Sequence, residues 1–274
     1  MNAKFARAGQ AAHRAARHPV VTWTARAGLV GFGLVHLLIA WLAVRIATGQ
    51  PAAEGDSSGA LRHLAAQPTG RWLVGAIGVG LVAMVVWQAT RALAGPYEAE
   101  AGKITERIVA GARAVVYGAA ASTAFGVLNA QAPSNAASQQ TATAHLMSAT
   151  GGRWWVGAAG VAVAAVGVGM AGYGVLGKFA DKLATEQMSA TVRRLSRVLG
   201  TAGYCAKGVA YALVGVLVVV AAVQFEPDKS RGLDAALRSL ADQPAGGWLL
   251  GVVAFGFACY GVHCGVQARF RKDL

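Results

Sequence analysis

Gly70-Arg71-Trp72-Leu73-Val74-Gly75 opens a long apolar run, and it recurs as Gly152-Arg153-Trp154-Trp155-Val156-Gly157 and again as Gly246-Gly247-Trp248-Leu249-Leu250-Gly251. The residues before it recur too, as Leu61-Arg62-His63-Leu64-Ala65-Ala66-Gln67-Pro68, Ala144-His145-Leu146-Met147 and Leu237-Arg238-Ser239-Leu240-Ala241-Asp242-Gln243-Pro244. Self-similarity at a period of roughly 80 to 95 residues marks a chain built from copies of one supersecondary unit. Each copy reads as a short amphipathic helix, a stop at Pro or Gly, and then a long apolar helix.

The composition says what surrounds these copies. Of 274 residues, 55% are hydrophobic and only 14% charged, with a mean hydropathy of +0.45. Those values lie outside the range of soluble globular domains and point to lipid as the solvent. The net charge of +13 is spread between apolar stretches rather than gathered into one domain, which argues for membrane topology and against nucleic acid. The three cysteines, Cys205, Cys259 and Cys264, lie inside apolar runs, where Cys acts as a small buried hydrophobe. The basic N-terminal stretch lacks the short apolar core and cleavage site of a secretory signal and is expected to be retained.

A hydrocarbon core roughly 30 Å thick needs about 20 helical residues to cross it. Windows of that kind fall at 27–48, 72–94, 108–130, 154–177, 199–224 and 247–268. They pair into repeat 1 (27–94), repeat 2 (108–177) and repeat 3 (199–268), flanked by a basic tail (1–26), a basic amphipathic linker (178–198) and a basic C-terminus (269–274). Continuous apolarity without period-two alternation excludes barrel strands. The fold class is therefore an all-α integral membrane bundle of six helices, as three tandem hairpins around a pseudo-threefold axis, with interfacial helices in the outer loops. Small residues four apart, such as Gly118, Ser122 and Gly126, or Gly160 and Ala164, are expected to let helix backbones approach closely.

Arg45, Arg62, Arg71, Arg153, Lys229, Arg231 and Arg238 lie on one side of the six spans, while the rest of the 25 Lys and Arg, apart from Lys207, lie on the other. The positive-inside rule then puts both termini in the cytoplasm. Trp72, Trp154, Trp155 and Trp248 stand where even-numbered spans enter from the outer side, in the place of interfacial anchors. The expected location is a plasma membrane.

The pattern Lys207-Gly208-Val209-Ala210-Tyr211, the segment from Gly232 to Asp242 followed by Pro244, Gly246 and Trp248, and the basic ending Ala268-Arg269-Phe270-Arg271-Lys272 together carry a resemblance. On these residues the sequence resembles the bacterial multi-pass membrane family known as domain of unknown function 1206, over nearly the whole chain. The resemblance implies a membrane fold and brings no activity with it. The first copy departs from the pattern with Phe32-Gly33-Leu34-Val35-His36 and the second with Tyr117-Gly118-Ala119-Ala120-Ala121.

Candidate chemistry is sparse. Lys207 stands inside a span, where an ammonium costs about 2.5 to 3.5 kcal/mol and marks a site by default, unless its side chain snorkels to the headgroups. Tyr211 lies one turn on, within hydrogen-bonding reach of the ammonium on the same face. His36 occupies the corresponding part of repeat 1, and the three residues are expected to line a central polar cavity. His263 joins His36 as a histidine within a span, and facing imidazoles would suit haem, but neither has a spaced partner on its own helix, and no cofactor or metal is expected. Gly167-Val168-Gly169-Met170-Ala171-Gly172 matches a dinucleotide fingerprint only literally, with no strand before it. The acidic loop residues Glu226, Asp228, Asp234 and Asp242 share their loop with Lys229, Arg231 and Arg238 and read as self-paired.

Lys4, Arg7, Arg14 and Arg17 in the tail and Arg193, Arg194 and Arg197 in the linker read as basic surface helices against anionic lipid headgroups. The expected partners are thus the bilayer itself and a membrane protein or second copy. The leading expectation is a non-enzymatic structural, assembly or accessory protein. A solute or ion pathway along the axis is the alternative, and a haem or redox subunit a lesser one.

Overall fold

The computed structural model describes residues 19–50, 52, 54–94, 103–130 and 134–272; Lys4, Arg7, Arg14 and Arg17 lie outside them. In chain order come α1 (Pro19–Ala47), α2 (Ser57–Ala65), α3 (Gly70–Ala94), α4 (Lys103–Leu128), α5 (Asn135–Ser148), α6 (Gly152–Val175), α7 (Ala190–Gln224), α8 (Gly232–Ala241) and α9 (Gly246–Phe270), with 3-10 turns at Lys178–Lys182, Thr185–Gln187 and Pro227–Lys229. There is no strand among the described residues. Six of the helices, α1, α3, α4, α6, α7 and α9, are long and apolar enough to cross a membrane.

The recurrent glycine has a steric cause. Each copy turns sharply from its short helix into the following long one, and the first residue of the long helix meets the backbone of the short one. A Cβ on Gly70 would lie 1.6 Å from the Leu64 carbonyl oxygen, on Gly152 1.6 Å from that of Leu146, and on Gly246 2.0 Å from that of Ala241. No real Cβ tolerates such distances, so only glycine lets the chain double back. The tryptophan two residues on is left exposed in every copy, at 85% for Trp72, 71% for Trp154 and 81% for Trp248.

The long helices pack in chain order. Helix α1 packs on α3, α3 on α4, α6 on α7, α7 on α9, and α9 back on α1, whereas α4 and α6 form no packed interface. Five of six seams are thus closed, and the open one falls inside repeat 2. The tightest seam joins α6 to α7 across two repeats. There Gly160 faces the Gly215 carbonyl and Gly167 faces Gly208 and Ala212, so a Cβ at Gly167 would come within 2.3 Å of the Ala212 nitrogen. Close backbone approach of this kind replaces the hydrophobic drive that lipid removes. Gly160 and Ala164 therefore act as their spacing indicates. Gly118 does not: a Cβ there would meet only Val85 of α3, at an ordinary 3.9 Å, and Ser122 is exposed, so no backbone approaches closely there.

At the end of the bundle where the hairpins turn, the three loops are tied to one another. The Asn135 amide nitrogen donates to Ser57 Oγ at 2.9 Å and the Asn135 backbone N–H to Ser58 Oγ at 3.1 Å, joining the first loop to the second. Thr143 and Ser230 share a hydroxyl bond of 2.8 Å and Gln140 donates to Asp228, joining the second to the third. The Gly55 N–H donates to Asp234 Oδ1 at 2.8 Å, closing the circle from first to third. Asp234 also receives Arg238 at 3.0 Å, and Lys229 pairs with Glu226 at 2.7 Å, so the third loop is self-paired at these residues. Asp56 caps α2 by accepting from the Ser58 and Gly59 N–H groups at 2.8 and 3.0 Å; burial pushes its carboxyl above the usual carboxylate range against those bonds. Ser134 caps α5 in the same way.

The opposite, terminal end is held differently, and here the linker departs from the surface helix expected over 178–198. Residues Lys178–Lys182 and Thr185–Gln187 are 3-10 turns. The stretch pairs with the end of α9: the Ala184 N–H donates to the Phe270 carbonyl at 2.8 Å and the Lys272 N–H to that of Lys182 at 3.1 Å, around an antiparallel bridge of Leu183 and Arg271. Ser189 then caps α7, which starts at Ala190, nine residues before the expected span, because no Pro or Gly interrupts the chain until Gly200. Arg193, Arg194 and Arg197 are exposed on its first turns.

Candidate functional site

In the alignment of the three copies, Phe32, Tyr117 and Lys207 each stand immediately before the glycine of the first long helix, at Gly33, Gly118 and Gly208. The fold brings these three corresponding residues together in the middle of the bundle. The Phe32 ring lies 5.3 Å from Tyr117 and 4.9 Å from the Lys207 ammonium, centroid distances in both cases. One fold position is therefore occupied by three different side chains, and only one of them carries charge.

Lys207 is 7% exposed, so the ammonium does not reach the end of the bundle. It sits among ring faces, 4.1 Å from the centroid of Tyr260, 4.9 Å from Phe32 and 6.0 Å from Tyr211. Tyr211 thus offers its ring rather than the hydrogen bond expected of it, since a residue one turn along α7 presents its flat face to the extended lysine. Among the described residues Lys207 makes no hydrogen bond or ion pair. Each cation–π contact contributes about 0.5 to 2 kcal/mol, while a buried ammonium with three donors loses several kcal/mol of hydration. Ring faces offset part of that cost and leave the donors without acceptors.

His36 shares this cluster. Its ring lies 4.4 Å from Phe32, 4.7 Å from Tyr260 and 6.0 Å from Phe257, and its Nδ1 bonds the Phe32 carbonyl at 2.8 Å. A backbone partner one turn away is the ordinary arrangement for a histidine inside a helix bundle. Lys207 and His36 are therefore assembled at one place among aromatic rings, with Tyr211 beside Lys207.

His263 belongs to a second, neighbouring cluster nearer the terminal end. Its ring meets Phe179 at 5.0 Å and Tyr204 at 6.0 Å. Phe179, from the linker, stacks on Tyr204 at 5.6 Å and fills the notch left by Gly200. His263 is fully buried, and neither ring nitrogen has a hydrogen-bond partner. Gln88 in α3 is equally buried, with both amide atoms unpaired. Tyr204 bridges the clusters, 5.3 Å from Tyr260, and its hydroxyl accepts from the Gln267 amide at 3.4 Å.

Several residues of this interior carry no mark in the sequence alone. Tyr260 has no counterpart in the other copies, which hold Met84 and Val166 twelve residues after their tryptophans. Phe179 reaches the site only because the linker folds back. Arg113, in α4, is half-buried; its place in an apolar span, four residues before Tyr117, is the one available signal. Arg271 is 9% exposed and lies over Trp87 at 4.8 Å, with Arg91 at 5.2 Å from the same ring. Among the described residues no group of three or more His, Cys, Asp or Glu converges as a metal site would require.

Comparison with known proteins agrees with the repeat structure. The family described as Domain of Unknown Function (DUF1206) matches three times, over residues 27–95, 108–177 and 202–271. An uncharacterized protein of Bacillus subtilis (strain 168) is 31% identical over 247 residues, which cover 88% of this chain and 89% of that protein. No solved structure matches the chain.

Proposed function

The chain belongs to the DUF1206 family, and from that premise we propose that it is a multi-pass protein of the bacterial plasma membrane that works by packing and binding within the bilayer and catalyses no reaction. The observation that carries this reading is the way the bundle is built. Six apolar helices of 23 to 35 residues meet through glycine-mediated backbone contacts, the packing mode suited to lipid. The exposed Trp72, Trp154 and Trp248 mark one interface, and the exposed Arg193, Arg194 and Arg197 suit anionic headgroups at the other. Both termini are then cytoplasmic and the tied loops face outward.

The convergence of Phe32, Tyr117 and Lys207 supports a pseudo-threefold axis through the centre. A solute pathway along that axis is the less favoured reading, because the three loops are tied to one another at the outer end. The haem reading gains no support, since His36 and His263 sit in separate ring clusters and His36 Nδ1 is engaged by the Phe32 carbonyl. Assembly with a membrane protein or a second copy fits the faces of α4 and α6 that pack on no other helix among the described residues.

Topology reporters test the arrangement. Fusions after Gln50, Gln140 and Ser230 are expected to score outside, and fusions near residue 100 and after Thr185 inside. A single reversed loop overturns the parallel orientation of the three hairpins.

A further inference from the structure

The three copies do not close alike. The first long helix of a repeat packs on the second in repeat 1, where α1 meets α3, and in repeat 3, where α7 meets α9, but α4 and α6 of repeat 2 form no such contact. The closed seams are built on glycine. A Cβ on Gly28 of α1 would lie 2.3 Å from the Gly80 carbonyl oxygen of α3, and a Cβ on Gly203 of α7 would lie 2.7 Å from the Tyr260 backbone of α9. Gly28 and Gly203 stand at one position of the aligned copies, and in repeat 2 that position holds Arg113. A guanidinium side chain cannot enter a space that excludes a methyl, so α4 cannot approach α6 as α1 approaches α3.

Faces that the other copies bury are left bare in repeat 2. The inward face of α3 carries Gly80, Met84 and Trp87, and that of α9 carries Gly256, Tyr260 and His263, all buried. The corresponding residues of α6 are Ala162, Val166 and Gly169, all exposed. Val166 is 58% exposed, against 0% for Met84 and 8% for Tyr260. On α4, Val116 is 51% exposed at the position of Gly31 and Ala206, which face Ile77 of α3 and Gly256 of α9. A face turned to lipid has no need of small residues, and α3 and α9 present Val79, Val82, Val252 and Phe255 there. Ala162 and Gly169 instead leave the α6 backbone open to close approach, and a Cβ on Gly169 would meet nothing within 4 Å among the described residues.

From this pattern we infer that the two bare faces are closed by a second copy of the chain, with α4 of each protomer packed on α6 of its partner around a twofold axis along the membrane normal. Each of these helices lacks the neighbour that repeats 1 and 3 provide for themselves, and one chain carries both members of the missing pair. A second copy in the same orientation supplies both at once, which makes the contact isologous and closed. A single foreign helix has no such reciprocity. Arg113 stands about 8 Å of helical rise from the start of its expected span at Ile108, within reach of the headgroups for an arginine, so its charge need not enter the contact. The contact that repeat 2 leaves unmade within the chain is thus recovered between protomers.

This inference rests on the membrane reading above and deepens its assembly claim, and the two fail differently: the reporters test the bilayer arrangement and the dimer tests the contact. The full-length protein, labelled at its C-terminus, is reconstituted in phosphatidylcholine vesicles at graded densities, and single-molecule photobleaching counts the copies in each particle. The wild type is expected to become dimeric as density rises. Dimer affinity should fall about tenfold or more in Val166→Trp and in Gly169→Trp, where an indole holds the backbones apart. Both positions are exposed in the single chain, so these variants fold, as circular dichroism melts are expected to show. Val79→Trp, on the lipid face of α3, should leave the dimer as in wild type. The register has its own readout: the double variant Val116→Cys with Val166→Cys, oxidised in the vesicles, is expected to run as a covalent dimer in clear excess over either single variant. A wild type that stays monomeric at every density, with the reporters scoring as expected, overturns this inference alone. So do dimers that survive both tryptophan substitutions, or a double variant that crosslinks within one chain or no better than the single ones.

Discussion

The two ends of this bundle handle polar groups in opposite ways. At the loop end, Asp56, Asn135, Thr143, Ser230 and Asp234 are buried or partly buried and every one has a hydrogen-bond partner, several across different repeats. Toward the termini, among the described residues, Lys207 meets ring faces and makes no hydrogen bond, and His263 and Gln88 have no hydrogen-bond partner. A buried polar group without a partner costs about 1 to 3 kcal/mol, and a charged one more. The first arrangement is what stability selects. The second is tolerated only where something other than stability is served, and this contrast makes the terminal half the place to look for function.

Substitutions at the loop end are expected to act through folding, and their effects fall in a graded order. The largest is at the glycine of the hairpin turn. Gly152→Ala places a methyl within 1.6 Å of the Leu146 carbonyl and is expected to cost about 3 kcal/mol or more, read as loss of monodisperse protein on gel filtration; a normally folded Gly152→Ala protein would mean the turn is looser than described. Next comes Asp234→Ala, which strands the buried Gly55 N–H and releases Arg238. Its expected cost is about 2 to 3 kcal/mol, visible as a lower melting temperature and faster hydrogen exchange at Gly55 and around α8.

Asp56→Ala removes a cap and is expected to cost about 1 kcal/mol. The same residue carries a pH signature. Its carboxyl is raised in the folded protein by burial, so the folded state holds the proton more tightly than the unfolded one. The stabilisation from that proton is complete below the unfolded value near 3.9 and is lost as pH rises through the raised folded value. Asp56→Asn keeps an acceptor for the cap without the titration, so its melting temperature relative to wild type should rise across that window. A constant difference would show that Asp56 does not titrate abnormally. The smallest effect is expected from Arg194→Gln and Arg197→Gln, within about 0.5 kcal/mol of wild type, because their side chains are exposed on the first turns of α7.

The sequence made the six long helices and their threefold repetition legible, because a run of about 20 apolar residues admits few structures in lipid and the Gly-x-Trp turns announce their own period. It did not show which helices touch. The stripe that begins at Gly118 and Ser122 and the pair of Gly160 and Ala164 look alike on paper, yet only the pair brings two backbones into close contact, since spacing describes one helix and packing requires two. The linker misled for a related reason. Its basic and apolar residues fit a surface helix, but Leu183 and Ala184 instead find their partners some 90 positions on, at Arg271 and Phe270, and a pairing so distant leaves no local pattern. Within the site, Lys207, Tyr211 and His36 were visible as polar or aromatic exceptions to an apolar run. Tyr260 and Phe179 were not, because aromatic side chains in apolar surroundings stand out only when a fold brings them against a cation.

Lys207 is thus held in the terminal half at the expense of stability. The most direct measurement is the thermal melt of Lys207→Met beside wild type. Met keeps the length of the side chain and its contacts with Phe32 and Tyr260 while removing the buried charge. The predicted result is a melting temperature raised by a few degrees; a clear fall would show that the ammonium is part of what holds the bundle together and would contradict the claim.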